Sequence, residues 1–111
     1  MASGRFVRIE TLGRRSGEPR TATVGFVDEP DGTILVAAGG SDTDWALNLL
    51  EEPACRIRIG DRTWDVVAEP LDPASHAAAI RGLILRYGTP AEGLGHGPSF
   101  RLRPVAPGGP S

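Results

Sequence analysis

The sequence predicts a small antiparallel β-barrel, closed or nearly closed, of about six strands with two helices. Three observations carry this. Short runs with an apolar residue at every second position recur along the chain, the period of a half-buried strand. The first three runs are joined by turn-forming clusters too short to hold a crossover helix, so neighbouring strands pair antiparallel. Closure would also remove the exposed edges that an open sheet of that size must otherwise protect. With 111 residues, the chain is expected to be one domain over residues 1–104 that buries its core without disulfides, followed by a disordered tail at 105–111.

The first strand is read over residues 5–12, with Val7, Ile9 and Thr11 on one side and Phe6, Arg8 and Glu10 on the other. A basic loop, Gly13-Arg14-Arg15-Ser16-Gly17-Glu18-Pro19-Arg20, turns the chain into a second strand at 21–27. Asp28-Glu29-Pro30-Asp31-Gly32 is a strong turn signal before a third strand at 33–37. After Ala38-Gly39-Gly40, Asp42 or Thr43 can cap a two-turn helix from Trp45 to Glu52, its apolar side formed by Trp45 and Leu49 with Leu50 at the edge. Strands at 54–59 and 63–69 flank a Gly60-Asp61-Arg62 turn. Asp72 caps a second helix with Pro73 at its first position; Ala77, Ile80, Ile84 and Tyr87 share helical spacing, and Gly88 ends it. Residues 89–98 are irregular and glycine-rich, and 99–103 return to alternation as the last strand.

Composition narrows the function. The single cysteine, Cys55, excludes an intrachain disulfide, and His76 and His96 are too far apart for a zinc-ligand pattern. No apolar run approaches the about 18 residues of a membrane span and no leader pattern opens the chain, so a soluble, cytoplasmic protein is expected. The net charge of -2 argues against general nucleic-acid binding. All 12 basic side chains are arginine. A genome rich in arginine codons explains that composition, and its chemical consequence is the absence of any Schiff-base or P-loop lysine.

The basic loop is the foremost candidate site. Gly13 and Gly17 can adopt the positive φ that turns backbone N–H groups into a concavity, Pro19 stiffens the exit, and guanidinium forks match phosphate oxygens. An ordinary solvated turn has the same composition. A meander brings this loop and the Gly39-Gly40 turn to one end of the sheet, where the start of the first helix adds free N–H donors. There Trp45 could cover a flat ring or simply anchor the helix in the barrel. Asp42 and Asp44 suit capping better than calcium binding. His76 reads as solvated, His96 as a residue a flexible loop could bring to a pocket mouth, and Cys55 as a small buried hydrophobe.

The ordered set of Thr11-Leu12-Gly13-Arg14-Arg15-Ser16-Gly17-Glu18-Pro19-Arg20, then Val36-Ala37-Ala38-Gly39-Gly40, then Trp45-Ala46-Leu47-Asn48-Leu49 and Pro53, resembles the deazaflavin (coenzyme F420)-dependent nitroreductase family over residues 6–87. The resemblance implies a split β-barrel of the FMN-binding type that binds coenzyme F420 and passes a hydride to a small-molecule acceptor: a quinone, a nitroaromatic or another electron-poor compound. It assigns the coenzyme's phosphate and acidic tail to Arg14, Arg15, Ser16, Gly17, Pro19 and Arg20, and its ring to Ala38, Gly39, Gly40, Trp45 and Asn48, with Tyr87 lining the ring site. FMN is the alternative cofactor, a cofactor-sequestering protein without turnover the alternative function, and a homodimer the expected assembly. Among its departures from the family, Ala38 stands where a Ser-Lys pair is usual, the stretch ahead of Trp45 is shorter, Tyr87 is the one tyrosine, and His96-Gly97-Pro98 replaces an acidic-basic pair. The substrate side of the site is therefore the less typical half.

Overall fold

The computed structural model describes residues 6–13, 17–40, 43–88 and 97–105. They form a single curled sheet of seven strands with two helices: β1 (Phe6–Leu12), β2 (Pro19–Gly25), β3 (Val27–Asp28), β4 (Ile34–Ala37), α1 (Asp44–Glu51), β5 (Ala54–Ile59), β6 (Arg62–Pro70), α2 (Pro73–Tyr87) and β7 (Ser99–Pro104). The sheet order is β2-β1-β5-β6-β7-β4-β3, with antiparallel neighbours throughout. Its two edge strands are consecutive in sequence. One long segment pairs with β1 through its first part and with β4 through its second, which curls the sheet toward closure and yields the split-barrel form.

The expected second strand, 21–27, therefore begins earlier and divides in two, which is why seven strands stand where about six were read. The division falls at Phe26. Its N–H donates to the Tyr87 hydroxyl at 3.0 Å, and its carbonyl accepts from Arg86 Nη1 at 2.9 Å. The end of α2 thus satisfies backbone groups that the bend withdraws from the ladder. Gly25 makes room for this, because a Cβ there would lie 2.8 Å from the Tyr87 ring.

Side-chain alternation builds the core. Val7, Ile9, Ile34, Val36, Cys55, Ile57, Val66, Ala68, Phe100 and Leu102 point into the barrel and meet Trp45, Ala46 and Leu49 of α1. The other side of β4 is covered by α2, where Ala37 and Leu83 are buried among Val27, Ile80, Ile84 and Tyr87. Two helical readings shift accordingly. Leu50 is exposed on α1, and the fully buried positions of α2 are Ala79 and Leu83, with Ala77 exposed. Asp72 caps α2 as read, accepting from the Ser75 N–H at 2.7 Å, and Gly88 ends it with φ +97°. Val105 still holds the sheet through its N–H to the Asp65 carbonyl at 3.1 Å; residues 106–111, most of the expected tail, lie outside the described residues.

Candidate functional site

Four antiparallel steps separate β1 from β4 across β5, β6 and β7, so β1 and β4 run in the same sense. The basic loop after β1 and the glycine turn after β4 therefore leave from one end of the barrel. At that end Thr11 of β1 stands directly opposite Arg20 of β2. Directly opposed residues share a face, so Arg20 emerges on the inner side, level with the buried Thr11, yet it is exposed at the rim. The Thr11 hydroxyl in turn accepts from Asn48 Nδ2 of α1 at 3.0 Å. Both partners are almost wholly buried, at 2% and 3% exposure. This bond across the barrel mouth seats α1 beside the entrance of the basic loop.

Within that loop Gly17 has the expected positive φ of 72° and Gly13 does not. The Gly13 N–H donates to the Glu18 carbonyl at 2.8 Å and the Gly17 N–H to the Gly13 carbonyl at 2.9 Å. Both of these N–H groups are spent on closing the loop, so neither glycine offers its N–H to an anion. Arg20 has no carboxylate partner among the described residues, whereas Arg56, Arg86, Arg101 and Arg103 pair with Asp65, Asp28, Glu29 and Glu69. Arg14, Arg15 and Ser16 lie outside the described residues, as do Asp42 and residues 89–96 with His96.

The glycine turn is tied to the helix start. Thr43 occupies the N-cap of α1, but its hydroxyl donates to the Gly40 carbonyl at 2.9 Å and accepts the Gly40 N–H at 3.2 Å instead of capping a helix N–H. The Ala38 N–H donates to the Pro98 carbonyl at 2.8 Å. Ala38 is buried, Gly39 exposed and Gly40 half-buried, so the surface presented here is mainly bare backbone. Trp45 lends its indole to the core, 6.0 Å from the Phe100 ring. Tyr87 packs on Phe6 and Gly25, at the end of β2 away from Arg20, about 17 Å along the strand at about 3.3 Å per residue.

Other candidates resolve as structural. His76 is half-buried, not solvated as read, with Nδ1 2.6 Å from Ser99 Oγ. Burial, reinforced by nearby Asp65, pushes the Cys55 thiol up to about 12, so it stays protonated and unreactive in the barrel. No group of three His, Cys, Asp or Glu side chains converges as a metal site among the described residues, and no helix among them is long and apolar enough to cross a membrane. Sequence reasoning missed Gly97, which lies against the glycine turn; only its place in a glycine-rich stretch signalled it. It also named Thr11 without a role, although a hydroxyl on the apolar side of a strand was a signal that a buried partner was required.

Among the described residues of the loop, the Arg20 guanidinium is the cation exposed at the mouth, and Gly39 and Gly40 leave the neighbouring turn without side chains. Fold and mouth together define the class: a small split-barrel protein with a basic entrance beside a glycine turn. More particularly, the chain belongs to the F420H(2)-dependent quinone reductase family, whose model matches residues 3–88. F420H(2)-dependent quinone reductase Rv1261c of Mycobacterium tuberculosis is 29% identical over 68 residues, 59% of this chain and 46% of the relative. The chain thus spans about half the length of the curated relatives it matches. Among solved structures, HutZ, the heme storage protein from Vibrio cholerae, shares the fold with a TM-score of 0.77 at 22% identity, over 92% of this chain and 82% of that one. An F420-H2 dependent reductase, FDR-A, does so with a TM-score of 0.72 at 22% identity, over 89% and 94%.

Proposed function

We propose that this chain is a coenzyme F420-dependent reductase that passes a hydride to a quinone in the cytoplasm, with nitroaromatics and other electron-poor molecules as further acceptors. The observation that carries the reading is Arg20, unpaired among the described residues and standing on the inner face at the barrel mouth, with α1 seated beside it through Asn48 and Thr11. Family membership and the name of the mycobacterial relative supply the coenzyme and the quinone. Arg14, Arg15, Ser16, Gly17, Pro19 and Arg20 would hold the phosphate and acidic tail, and Ala38, Gly39, Gly40, Trp45 and Asn48 would frame the ring side. The coenzyme supplies the hydride chemistry when bound, and the protein's share is position and electrostatics. The assembly we propose is a homodimer.

Titration of purified protein with coenzyme F420, followed by deazaflavin fluorescence, tests the binding half. Arg20→Ala and Arg15→Ala should each weaken binding by about 1.5 to 3 kcal/mol, the worth of a hydrogen bond to a charged group. No binding at high micromolar coenzyme would overturn the reading. Turnover is followed separately, as the absorbance change that accompanies oxidation of the reduced coenzyme with menadione as acceptor. One observation favours a second reading, a binder without turnover: the chain's one tyrosine, Tyr87, is engaged at Gly25 and Phe26 and not at the mouth. Tight binding with no oxidation across a quinone and nitroaromatic panel selects that reading, and protein that purifies yellow points to FMN.

A further inference from the structure

We propose that Gly97 is a positioning residue that holds the glycine turn in register with the basic mouth, a reading that rests on the coenzyme site proposed above. The ladder between β4 and β7 ends at Ala37 opposite Ser99, but the two backbones stay together beyond it, with the Ala38 N–H bonded to the Pro98 carbonyl at 2.8 Å. A Cβ built on Gly97 would lie 2.5 Å from the Ala38 carbonyl oxygen and 2.8 Å from both the nitrogen and the oxygen of Gly40. All three are backbone atoms of the turn, so no side-chain rotation relieves the overlap and the turn itself would have to move. Gly97 is not in the left-handed region, since the positive-φ glycines among the described residues are Gly17, Gly32, Gly60 and Gly88. Close backbone approach is therefore what requires glycine here.

Displacement at Gly40 would travel a short, defined route. Both backbone groups of Gly40 are bonded to Thr43, Thr43 is the N-cap of α1, and α1 carries Asn48, which grips Thr11 opposite Arg20. Any side chain at position 97 thus disturbs the turn that would meet the coenzyme ring and loosens its alignment with the cationic mouth. Gly97 acts through these neighbours: the three atoms nearest the place a Cβ would take are all backbone.

The test compares Gly97→Ala with Gly32→Ala. Alanine at Gly32, φ +90° with nothing within 4 Å, is strained but lies in the turn between β3 and β4, outside the site. Both substitutions should lower the melting temperature. At a temperature where both variants are folded, Gly97→Ala should raise the coenzyme dissociation constant by about tenfold or more, about 1.4 kcal/mol, while Gly32→Ala leaves it unchanged. Wild-type affinity in Gly97→Ala, or an equal loss in Gly32→Ala, overturns the proposal. Should Gly97→Ala fail to fold, Thr43→Val removes both side-chain bonds to Gly40 and leaves the 3.3 Å bond from the Thr43 N–H to the Gly40 carbonyl, and wild-type affinity in that variant overturns the proposal equally. If the wild-type protein binds no coenzyme, the coenzyme reading falls alone. The positioning role is then judged on amide spectra of the free protein, where shifts in Gly97→Ala centred on Gly39, Gly40 and Thr43 support it and unmoved resonances there overturn it.

Discussion

Thr11 and Asn48 are buried polar side chains that join the first strand to the first helix through one hydrogen bond. Leaving one without its partner in the barrel costs the desolvation of a polar group, about 1 to 3 kcal/mol. Thr11→Val and Asn48→Leu should each destabilise the fold by about that amount in urea unfolding. Because they share one interaction, the double variant should lose less than the sum, with a coupling of about 0.5 to 3 kcal/mol; strict additivity would show that the bond contributes nothing. The inward position of Thr11 was legible from the alternation of β1. Its partner was not, because 37 residues separate the two and the contact exists only once α1 lies across the barrel mouth. The same holds for His76, whose partner Ser99 is supplied by the far end of the chain.

Among the elements, the long β2–β3 segment shows how a local pattern can be right in kind and wrong in extent. Its residues alternate as a strand through Phe26, so a single strand was read, but α2 returns from 60 residues away and Tyr87 and Arg86 take over the backbone of Phe26. Tyr87→Phe removes the hydroxyl from that junction and keeps the ring on Gly25 and Phe6. The expected loss is about 0.5 to 1.5 kcal/mol, measurable by urea unfolding, and a variant as stable as the wild type would show that water replaces the phenol fully. Helices α1 and α2 were legible in type and nearly in length from capping residues, spacing and the stops at Pro53 and Gly88. Which α2 positions are buried was decided by the sheet beneath it: Ala79 and Leu83 face it, and a Cβ on Gly82 would lie 3.0 Å from Val27 Cγ2, so glycine there permits the close packing of α2 on β3.

For the whole molecule, the charged pairs set the response to pH. Hydrogen bonds from Arg101 and Thr33 hold Glu29 below the ordinary carboxylate range, Thr33 does so for Asp31, Arg103 for Glu69 and the Ser75 backbone for Asp72. A carboxylate depressed in the folded state stabilises above its ordinary value, and that contribution is lost as the pH falls through the depressed one. Cys55 works on the other limb. Its thiol is raised to about 12, so its contribution is present below the ordinary thiol range and is lost as the pH rises toward that value. Urea midpoints should therefore be flat through neutrality and fall in acid and in strong alkali; a midpoint that rises on acidification would contradict this assignment.

The sequence by itself determined the antiparallel barrel class, the order and most bounds of its elements, and the presence of a basic loop and a glycine turn that its topology had to bring to one end. Period, turn chemistry and capping act over a few residues, and a single chain displays them in full. Only the tertiary structure decided that Asn48 binds Thr11, that Trp45 packs beside Phe100, and that Gly97 lies against the turn after β4. Each of these depends on two segments distant in sequence meeting in space, and the register in which they meet is set by the packing of the whole sheet and both helices.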